Sequence, residues 1–190
     1  MIGTNLMLRA PEPSDIDTIY QWENDTRIWP MGSTLAPYSR FAIEQYVMTV
    51  SDDIFATKQL RLMIYWHSAP DNIKTIGSID LYDFDPHHLR AGIGILIDEK
   101  YRNHGFAAEA LELMKEYCFQ TLNLHQLYCN IEAGNDISIR LFETAGFVKC
   151  GIKTEWLKRN SGWNDEIMFQ LIRPVAENEI LKSDKLNAYD

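Results

Sequence analysis

The sequence predicts a mixed α/β fold in which helices flank one central, mostly antiparallel sheet. Apolar residues recur at helical spacing over residues 16–50, at a period of two over 60–97, and at helical spacing again after Gly105. The 190 residues, 46% hydrophobic and 24% charged, suit one well-buried core. We therefore expect a single domain over residues 1–174 and a polar tail at 175–190.

The chain begins with a predicted short strand and two predicted helices. The strand covers residues 6–9. Ser14-Asp15 precedes a segment of helical periodicity over 16–22, which predicts a helix that opens on a side-chain cap. Residues 29–32, with a proline and a glycine, interrupt the chain before Tyr38-Ser39 opens a second helical pattern.

The middle of the chain predicts an antiparallel meander. Residues 60–66, 75–81 and 90–97 are rich in Ile, Leu and Tyr and read as strands. Turn-like stretches at 68–72 and 83–88 separate them, and short connections of this kind favour antiparallel neighbours.

The second half predicts a helix, a strand, a helix and a closing hairpin. The long helix starts near Gly105, and the short one, at 137–144, ends at Gly146. The sheet then has six to seven strands and about four helices flank it. The strands of this half are predicted at 127–132, 147–156 and 166–172, with a turn at 160–164.

Charge and composition disfavour several classes of function. The net charge of −9 would repel nucleic acid and attract a cationic substrate, although many chains are acidic simply for solubility. The longest apolar stretches, 62–66 and 91–97, fall far short of the roughly 20 residues that span a bilayer, and no export signal is visible. We therefore expect a cytoplasmic protein without a membrane partner.

Cysteine and histidine spacing predicts no metal site. Three widely separated cysteines in apolar surroundings indicate reduced core thiols rather than disulfides. The adjacent His87 and His88 predict a solvated turn.

The segment over residues 93–111 carries the predicted chemistry. A predicted strand runs into residues 98–101, and the chain then continues through residues 102–107 (RNHGFA) directly into the long helix. Backbone N–H groups converge at such a helix start, where the helix dipole is positive, and can bind a diphosphate. Gly105 would allow close approach of the ligand, although a glycine here can equally be a turn residue. The segment fits neither a Walker loop nor a Rossmann loop.

Several motifs in order resemble the GNAT acetyltransferases. Residues 102–107 match the signature Q/R-x-x-G-x-G/A, followed by Asn123-Leu124-His125, Asn135-x-x-Ser138 and the stretch 141–147. Over about residues 5–173 the sequence is similar to the branch that contains the ribosomal-protein N-terminal acetyltransferases and the spermidine N-acetyltransferases. The resemblance implies the GNAT fold and direct transfer of an acetyl group from acetyl-CoA to a primary amine.

The resemblance assigns a set of residues to acetyl-CoA. Asn135 would hydrogen-bond the pantetheine arm, and Ser138 and Phe142 would lie near the thioester sulfur. The backbone of Ile95 and Ile97 would also bind the arm. The pyrophosphate would be held, mainly by backbone N–H groups, at Arg102, Asn103, His104, Gly105, Phe106 and Ala107.

The catalytic groups depart from the common family pattern. Many GNAT enzymes have a Tyr general acid where this chain has Phe142, which has no proton to donate. In some members of the branch a Ser takes that role at the position of Ser138, whose alternative use is a bond to the helix backbone. Glu155, before Trp156, resembles the family's acidic residue and would accept the amine proton in a partly dry cleft. An exposed strand residue is the alternative for Glu155, and the cysteines are interpreted as core rather than as nucleophiles.

The resemblance implies that the acceptor site lies between the first two helices and near the closing strand. Trp22, Glu23 and Trp29 combine aromatic rings with an acid, which suits a cationic amine, although buried tryptophans explain the rings equally well. Asp165 resembles an acidic residue of the branch's closing strand, where a structural hydrogen bond or a contact with a substrate ammonium is as plausible as catalysis.

The identity of the acceptor stays open at the level of sequence. The acidic balance favours a polyamine, whereas Phe142 with Ser138 favours a peptide N-terminus. A homodimer is expected by analogy alone. Two other hypotheses are an acetyl-CoA-binding sensor or structural protein with little catalysis, and an unrelated phosphate-binding α/β domain.

Overall fold

A computed structural model describes residues 1–32, 34–49, 53–68 and 74–174. The predicted tail at 175–190 and most of the predicted turn at 68–72 lie outside these residues. Seven strands and five α-helices occur within them, which confirms the predicted mixed α/β fold. The strands are β1 (Leu6–Arg9), β2 (Leu60–Trp66), β3 (Lys74–Asp85), β4 (Arg90–Ile97), β5 (Gln126–Glu132), β6 (Val148–Arg159) and β7 (Gly162–Ile172), and the helices are α1 (Ile16–Glu23), α2 (Arg40–Thr49), α3 (Ile54–Thr57), α4 (Phe106–Glu116) and α5 (Asp136–Thr144).

The strands form one sheet in the order β1-β2-β3-β4-β5-β7-β6. Every neighbouring pair is antiparallel except β4 and β5, which are parallel. The meander prediction is confirmed, although β3 continues to Asp85, into the predicted turn. The strands of the closing hairpin are also longer than predicted. Arg159 pairs with Gly162, so the turn is shorter than the predicted 160–164.

The two N-terminal helices differ in how they begin. Ser39 caps α2 as predicted, since its Oγ accepts a hydrogen bond from the Ala42 N–H at 3.1 Å. The predicted side-chain cap does not form at α1 itself. The buried Asp15 carboxylate binds the Arg9 guanidinium (2.6 and 2.9 Å) and the Thr75 hydroxyl (2.8 Å), and it accepts the Glu12 N–H (2.8 Å) in a capping box of the short 3-10 turn that precedes the helix. Burial alone would raise the pKa of Asp15, but these hydrogen bonds hold it below its ordinary value.

The helices pack on opposite faces of the sheet. Ile19 of α1 and Ile43 of α2 form a small core with Met63 of β2. On the other face, the buried side of α4 includes Leu111 and Met114, within the larger core. Glu109 fixes α4 to the N-terminus, since its carboxylate accepts hydrogen bonds from the backbone N–H groups of residues 5 and 6.

Two features of the helices were not predicted. The four-residue α3, capped by the Asp53 carboxylate, is too short to show a helical period. The long helix predicted after Gly105 is α-helical only as far as Glu116. It then continues as a single π-helical turn over Tyr117–Thr121. Within the described residues, no helix has both the length and the apolar character needed to cross a membrane.

Candidate active site

A split in the middle of the sheet forms the candidate site. The parallel strands β4 and β5 pair only at Arg90–Gln126, Ala91–Leu127 and Gly92–Tyr128. Beyond this point β4 continues beside β3 to Ile97, and β5 continues beside β7 to Glu132. The two central strands therefore diverge into a cleft, here called the split, with its vertex at the pair Gly92–Tyr128.

The split exposes backbone groups of β4. The Asp98 N–H donates to the Ile76 carbonyl of β3 at 2.9 Å, so alternate residues before it, Leu96 and Gly94, also bond to β3. Ile95 and Ile97, which lie beyond the last pair with β5, consequently direct their N–H and C=O groups into the split. The Ile97 carbonyl accepts the Arg102 Nε at 3.1 Å. The structure thus places Ile95 and Ile97 along the cleft.

The loop at 102–107 begins α4 at the open end of β4. Asn103 and Gly105 have left-handed backbones, with φ of 64° and 80°. The Glu109 N–H makes the first intrahelical bond, to the Gly105 carbonyl, so the N–H groups of residues 106–108 have no partner within the helix. A Cβ on Gly105 would meet no atom within 4 Å, which leaves room for a ligand. These features fit the binding of a diphosphate.

His104 and Phe106 give this loop its shape. The His104 ring stacks on Phe106 at 5.5 Å and its Nδ1 lies 2.7 Å from the Arg102 carbonyl. Phe106 is buried, Ala107 is half-buried, and the other loop residues are exposed.

The three predicted residues of α5 lie in different environments. Asn135 caps the helix, since its Oδ1 accepts the Ser138 N–H at 3.2 Å. The Ser138 side chain is half-buried. Phe142 is only 4% exposed and packs edge-on against Phe147, with ring centroids 5.1 Å apart. It therefore offers a ligand little surface.

Glu155 lies on an irregular part of β6, where the register shifts between Lys153 and Leu157. Its backbone is left-handed, with φ of 48°, and its N–H donates to the Asp165 carboxylate at 2.8 Å. Asp165 thus makes a structural hydrogen bond, which was one of its three predicted roles. The partly dry surroundings predicted for Glu155 are wrong, because both Glu155 and Trp156 are exposed.

The predicted acceptor residues are joined to the strands by hydrogen bonds. Trp22 Nε1 donates to Asp98, at the end of β4, at 3.3 Å. Trp29 Nε1 donates to the Glu23 carbonyl at 2.8 Å. The Glu23 carboxylate accepts from the Arg61 guanidinium at 2.6 Å. Sequence reasoning did not identify Arg61, although a charged residue in an apolar strand was a visible signal.

Arg61 also binds Asp80 of β3 at 2.7 Å, so one guanidinium serves two carboxylates. Burial opposes the charge on Arg61, but the carboxylates raise the pKa of its guanidinium above the ordinary value. Burial raises the pKa of Asp80, and Arg61 opposes this shift. Asp80 pairs across the ladder with Gly94, so this cluster lies beside the split on the face that α1 and α2 cover.

A second network, also missed from the sequence, joins the hairpin to the acceptor region. Arg159 donates to Glu132, the last residue of β5, at 2.7 Å and to the Pro30 carbonyl at 2.6 Å. Asn164 donates to the same Glu132 carboxylate at 2.6 Å. The Arg159 hydrogen bonds lower the pKa of Glu132. The network ties the Pro30 backbone to the last residue of β5.

Two of the three cysteine thiols are buried in the core. Cys118 and Cys129 are buried, and burial raises the pKa of each thiol to about 12. Neither thiol is therefore a thiolate at neutral pH. In the described part of the chain, no three His, Cys, Asp or Glu side chains converge as metal ligands would.

Comparison with known proteins gives a family and close relatives. Residues 5–148 match the family described as Acetyltransferase (GNAT) domain. The spermidine N(1)-acetyltransferase of Vibrio cholerae serotype O1 is 26% identical over 186 residues, which cover 98% of each chain.

Solved structures extend this similarity. The spermidine N-acetyltransferase of Vibrio cholerae in complex with CoA and spermine has a TM-score of 0.76 and 26% identity, over 90% of this chain and 96% of that one. A dodecameric structure of the Vibrio cholerae enzyme in an intermediate state has a TM-score of 0.73 and 26% identity, over 90% and 95% of the two chains.

Proposed function

This chain belongs to the GNAT acetyltransferase family, and from that membership we propose that its acceptor is a polyamine-like cationic amine. The chain is an N-acetyltransferase, which moves an acetyl group from acetyl-CoA to an amine. The observation that carries the acceptor class is the cluster of Glu23, Arg61 and Asp80 beside the split. Two carboxylates share one guanidinium, so one negative charge is left for an ammonium group to balance.

Two further findings support a cationic acceptor. The net charge of −9 would draw polycations toward the protein. The full-length relative in Vibrio cholerae is a spermidine N(1)-acetyltransferase. Trp22 and Trp29 lie next to Glu23 and would contact the aliphatic part of such an amine.

We assign the donor acetyl-CoA to the split and to the loop at its open end. The N–H groups of residues 105–107 would hold the pyrophosphate, because those of 106 and 107 have no partner within α4 and Gly105 leaves open space. The backbone of Ile95 and the Asn135 side-chain amide would bind the pantetheine arm. Arg102, which bonds to the Ile97 carbonyl, would keep the loop against β4.

Proximity supplies much of the catalysis, because donor and amine meet in one cleft without a covalent enzyme intermediate. Ser138 is half-buried on α5 and would donate a hydrogen bond to the leaving thiolate. Glu155 is exposed, so it would take the amine proton through a water molecule rather than directly.

The test is release of CoA thiol from acetyl-CoA with spermidine or with a peptide that begins with Ser or Ala. We expect release with spermidine. Glu23→Gln should raise the spermidine KM about tenfold, as for loss of one charged hydrogen bond. Glu44→Gln, which removes an exposed carboxylate paired with Arg40, is the matched control. Release with the peptide alone would replace the polyamine proposal, and acetyl-CoA binding without release from any amine would favour a sensor.

We also infer self-association of this chain. A dodecameric relative supports it, as do the exposed Val148, Ile152 and Trp156 on the edge strand β6 and Trp163 on β7. Light scattering on wild type and Ile152→Lys tests it: an assembly that the substitution dissociates supports β6 as the interface, and a monomeric wild type excludes self-association.

The free thiols Cys118, Cys129 and Cys150 fit a reducing compartment such as the cytoplasm.

A further inference from the structure

Tyr82 of β3 lies across the vertex of the split. Its ring occupies the space that a side chain at residue 92 would need. If Gly92 carried a Cβ, three ring atoms of Tyr82 would overlap it, and the farthest of the three, Cδ2, would lie only 2.6 Å away. The ring also meets Tyr128 of β5 edge-on, with centroids 5.8 Å apart. One side chain thus spans from β3 over β4 to β5 where the last β4–β5 pair forms.

The hydroxyl of Tyr82 reaches a backbone group that the split leaves without a strand partner. The Ala133 N–H bonds to the Asp165 carbonyl, so the odd-numbered residues of β5 bond to β7 and the even-numbered ones face the split. Asn130 is the first such residue past the vertex, and its N–H interacts with the Tyr82 oxygen. Within the described residues, no acceptor is found for the Tyr82 hydroxyl hydrogen.

The space next to this hydroxyl is open. A Cβ on Gly94, the next residue of β4 on the same face, would have Tyr82 Cε1 as its nearest neighbour, at 3.9 Å. A pantetheine arm that enters at residues 102–107 and follows β4 toward Gly92 would end here. Phe142, at the usual position of the family's acid, has no hydroxyl and is buried.

We propose that Tyr82 hydrogen-bonds the thioester sulfur and stabilises the thiolate as it leaves. This rests on the proposed placement of the donor in the split. The ring position is fixed by Gly92 and Tyr128, and the hydroxyl has no acceptor among the described residues, so its hydrogen is available to the reacting end. Burial raises the pKa of Tyr82, so the hydroxyl stays protonated at neutral pH.

The balance of the reaction follows from this role. The amine nitrogen, once deprotonated, forms its bond to the acetyl carbon and the C–S bond breaks, with the electron pair going to sulfur. Tyr82 donates a hydrogen bond to that sulfur and keeps its proton. The thiolate takes a proton from water, the amide nitrogen loses one, and an ammonium substrate releases one proton overall.

The experiment compares Tyr82→Phe with Tyr128→Phe. Both keep their rings, but the Tyr128 hydroxyl bonds to Asp83 at 3.1 Å, away from the split. We expect Tyr82→Phe to lower kcat about 10- to 100-fold, with the KM for acetyl-CoA changed less than about threefold, as for loss of one transition-state donor. Tyr128→Phe should change neither.

A binding measurement separates a contact with sulfur from a structural role. Wild type and Tyr128→Phe should bind CoA more tightly than desulfo-CoA, in which hydrogen replaces the thiol, and Tyr82→Phe should lose this preference. A retained preference in Tyr82→Phe, or none in wild type, would overturn the proposal, whatever happens to kcat. Because this arm needs no acceptor, it decides the role of Tyr82 even if every amine tested proves inactive.

Discussion

The contact between Gly92 and Tyr82 gives the sharpest prediction about the vertex of the split. In Gly92→Ala the new methyl group would overlap the Tyr82 ring, since Cδ2 at 2.6 Å is far inside the roughly 3.5 Å of an ordinary carbon–carbon contact. Such overpacking costs about 1–3 kcal/mol, and loss of a strand glycine returns about 0.5–1 kcal/mol. We expect a net loss of about 1–2 kcal/mol in the free energy of unfolding.

Urea unfolding measures this loss as a lower midpoint with an unchanged slope. For a chain of this size the melting temperature should fall by about 2–8 °C. Gly94→Ala is the matched control, because its methyl group would make only an ordinary contact at 3.9 Å and should leave stability unchanged. It should instead slow acetyl transfer, since it fills the open space beside Tyr82.

A double-mutant cycle identifies the ring as the cause. In a Tyr82→Ala background, Gly92→Ala should no longer destabilise the protein, because the ring is gone. The reasoning is refuted if Gly92→Ala is as stable as wild type, or if its cost persists when Tyr82 is removed.

Other features of the structure lead to three further predictions. Gly105→Ala should weaken acetyl-CoA binding in calorimetry by at least about tenfold and cost about 1–2 kcal/mol in stability, because the position requires φ of 80°. Asp15→Asn should lower the free energy of unfolding by about 1–3 kcal/mol at pH 7. Because the native pKa of Asp15 lies below its unfolded value, the stability that the carboxylate contributes is complete above about pH 4 and disappears as the pH falls through the native pKa. The difference in stability between variant and wild type in pH-dependent denaturation should therefore narrow in acid. In the native protein a thiol reagent should titrate Cys150 alone, with Cys118 and Cys129 reacting only in denaturant, since both are buried.

Local sequence patterns predicted the elements of this fold well because the elements have local causes. The run of strand-favouring residues over 60–66 and the cap at Ser39 were sufficient to predict β2 and α2. The failures come from contacts distant in sequence. Asp15 looks like a cap until Thr75, 60 residues later, is brought beside it, and no local pattern reveals that contact.

The candidate site shows the same limit. The loop at 102–107 could be proposed from the sequence because its residues are consecutive. Tyr82 could not, because it follows the predicted strand at 75–81, and only the observed register places it over Gly92. The glycines at 92 and 94 were the available signal, since a glycine inside a strand often marks a close approach of another group.

The split explains how the fold favours a donor of this kind. Buried backbone groups without partners are costly, at about 1–3 kcal/mol each, so a sheet that stops pairing at its centre must satisfy them in another way. Here a side chain satisfies the open end, where Arg102 bonds to the Ile97 carbonyl, and the Tyr82 ring covers the vertex. The groups between them, at Ile95, are left for a ligand. A pantetheine arm carries amide groups and can complete the ladder as an added strand would. With the donor placed as we propose, its affinity would come largely from backbone that the fold leaves unpaired, and the site would need few charged side chains to bind it.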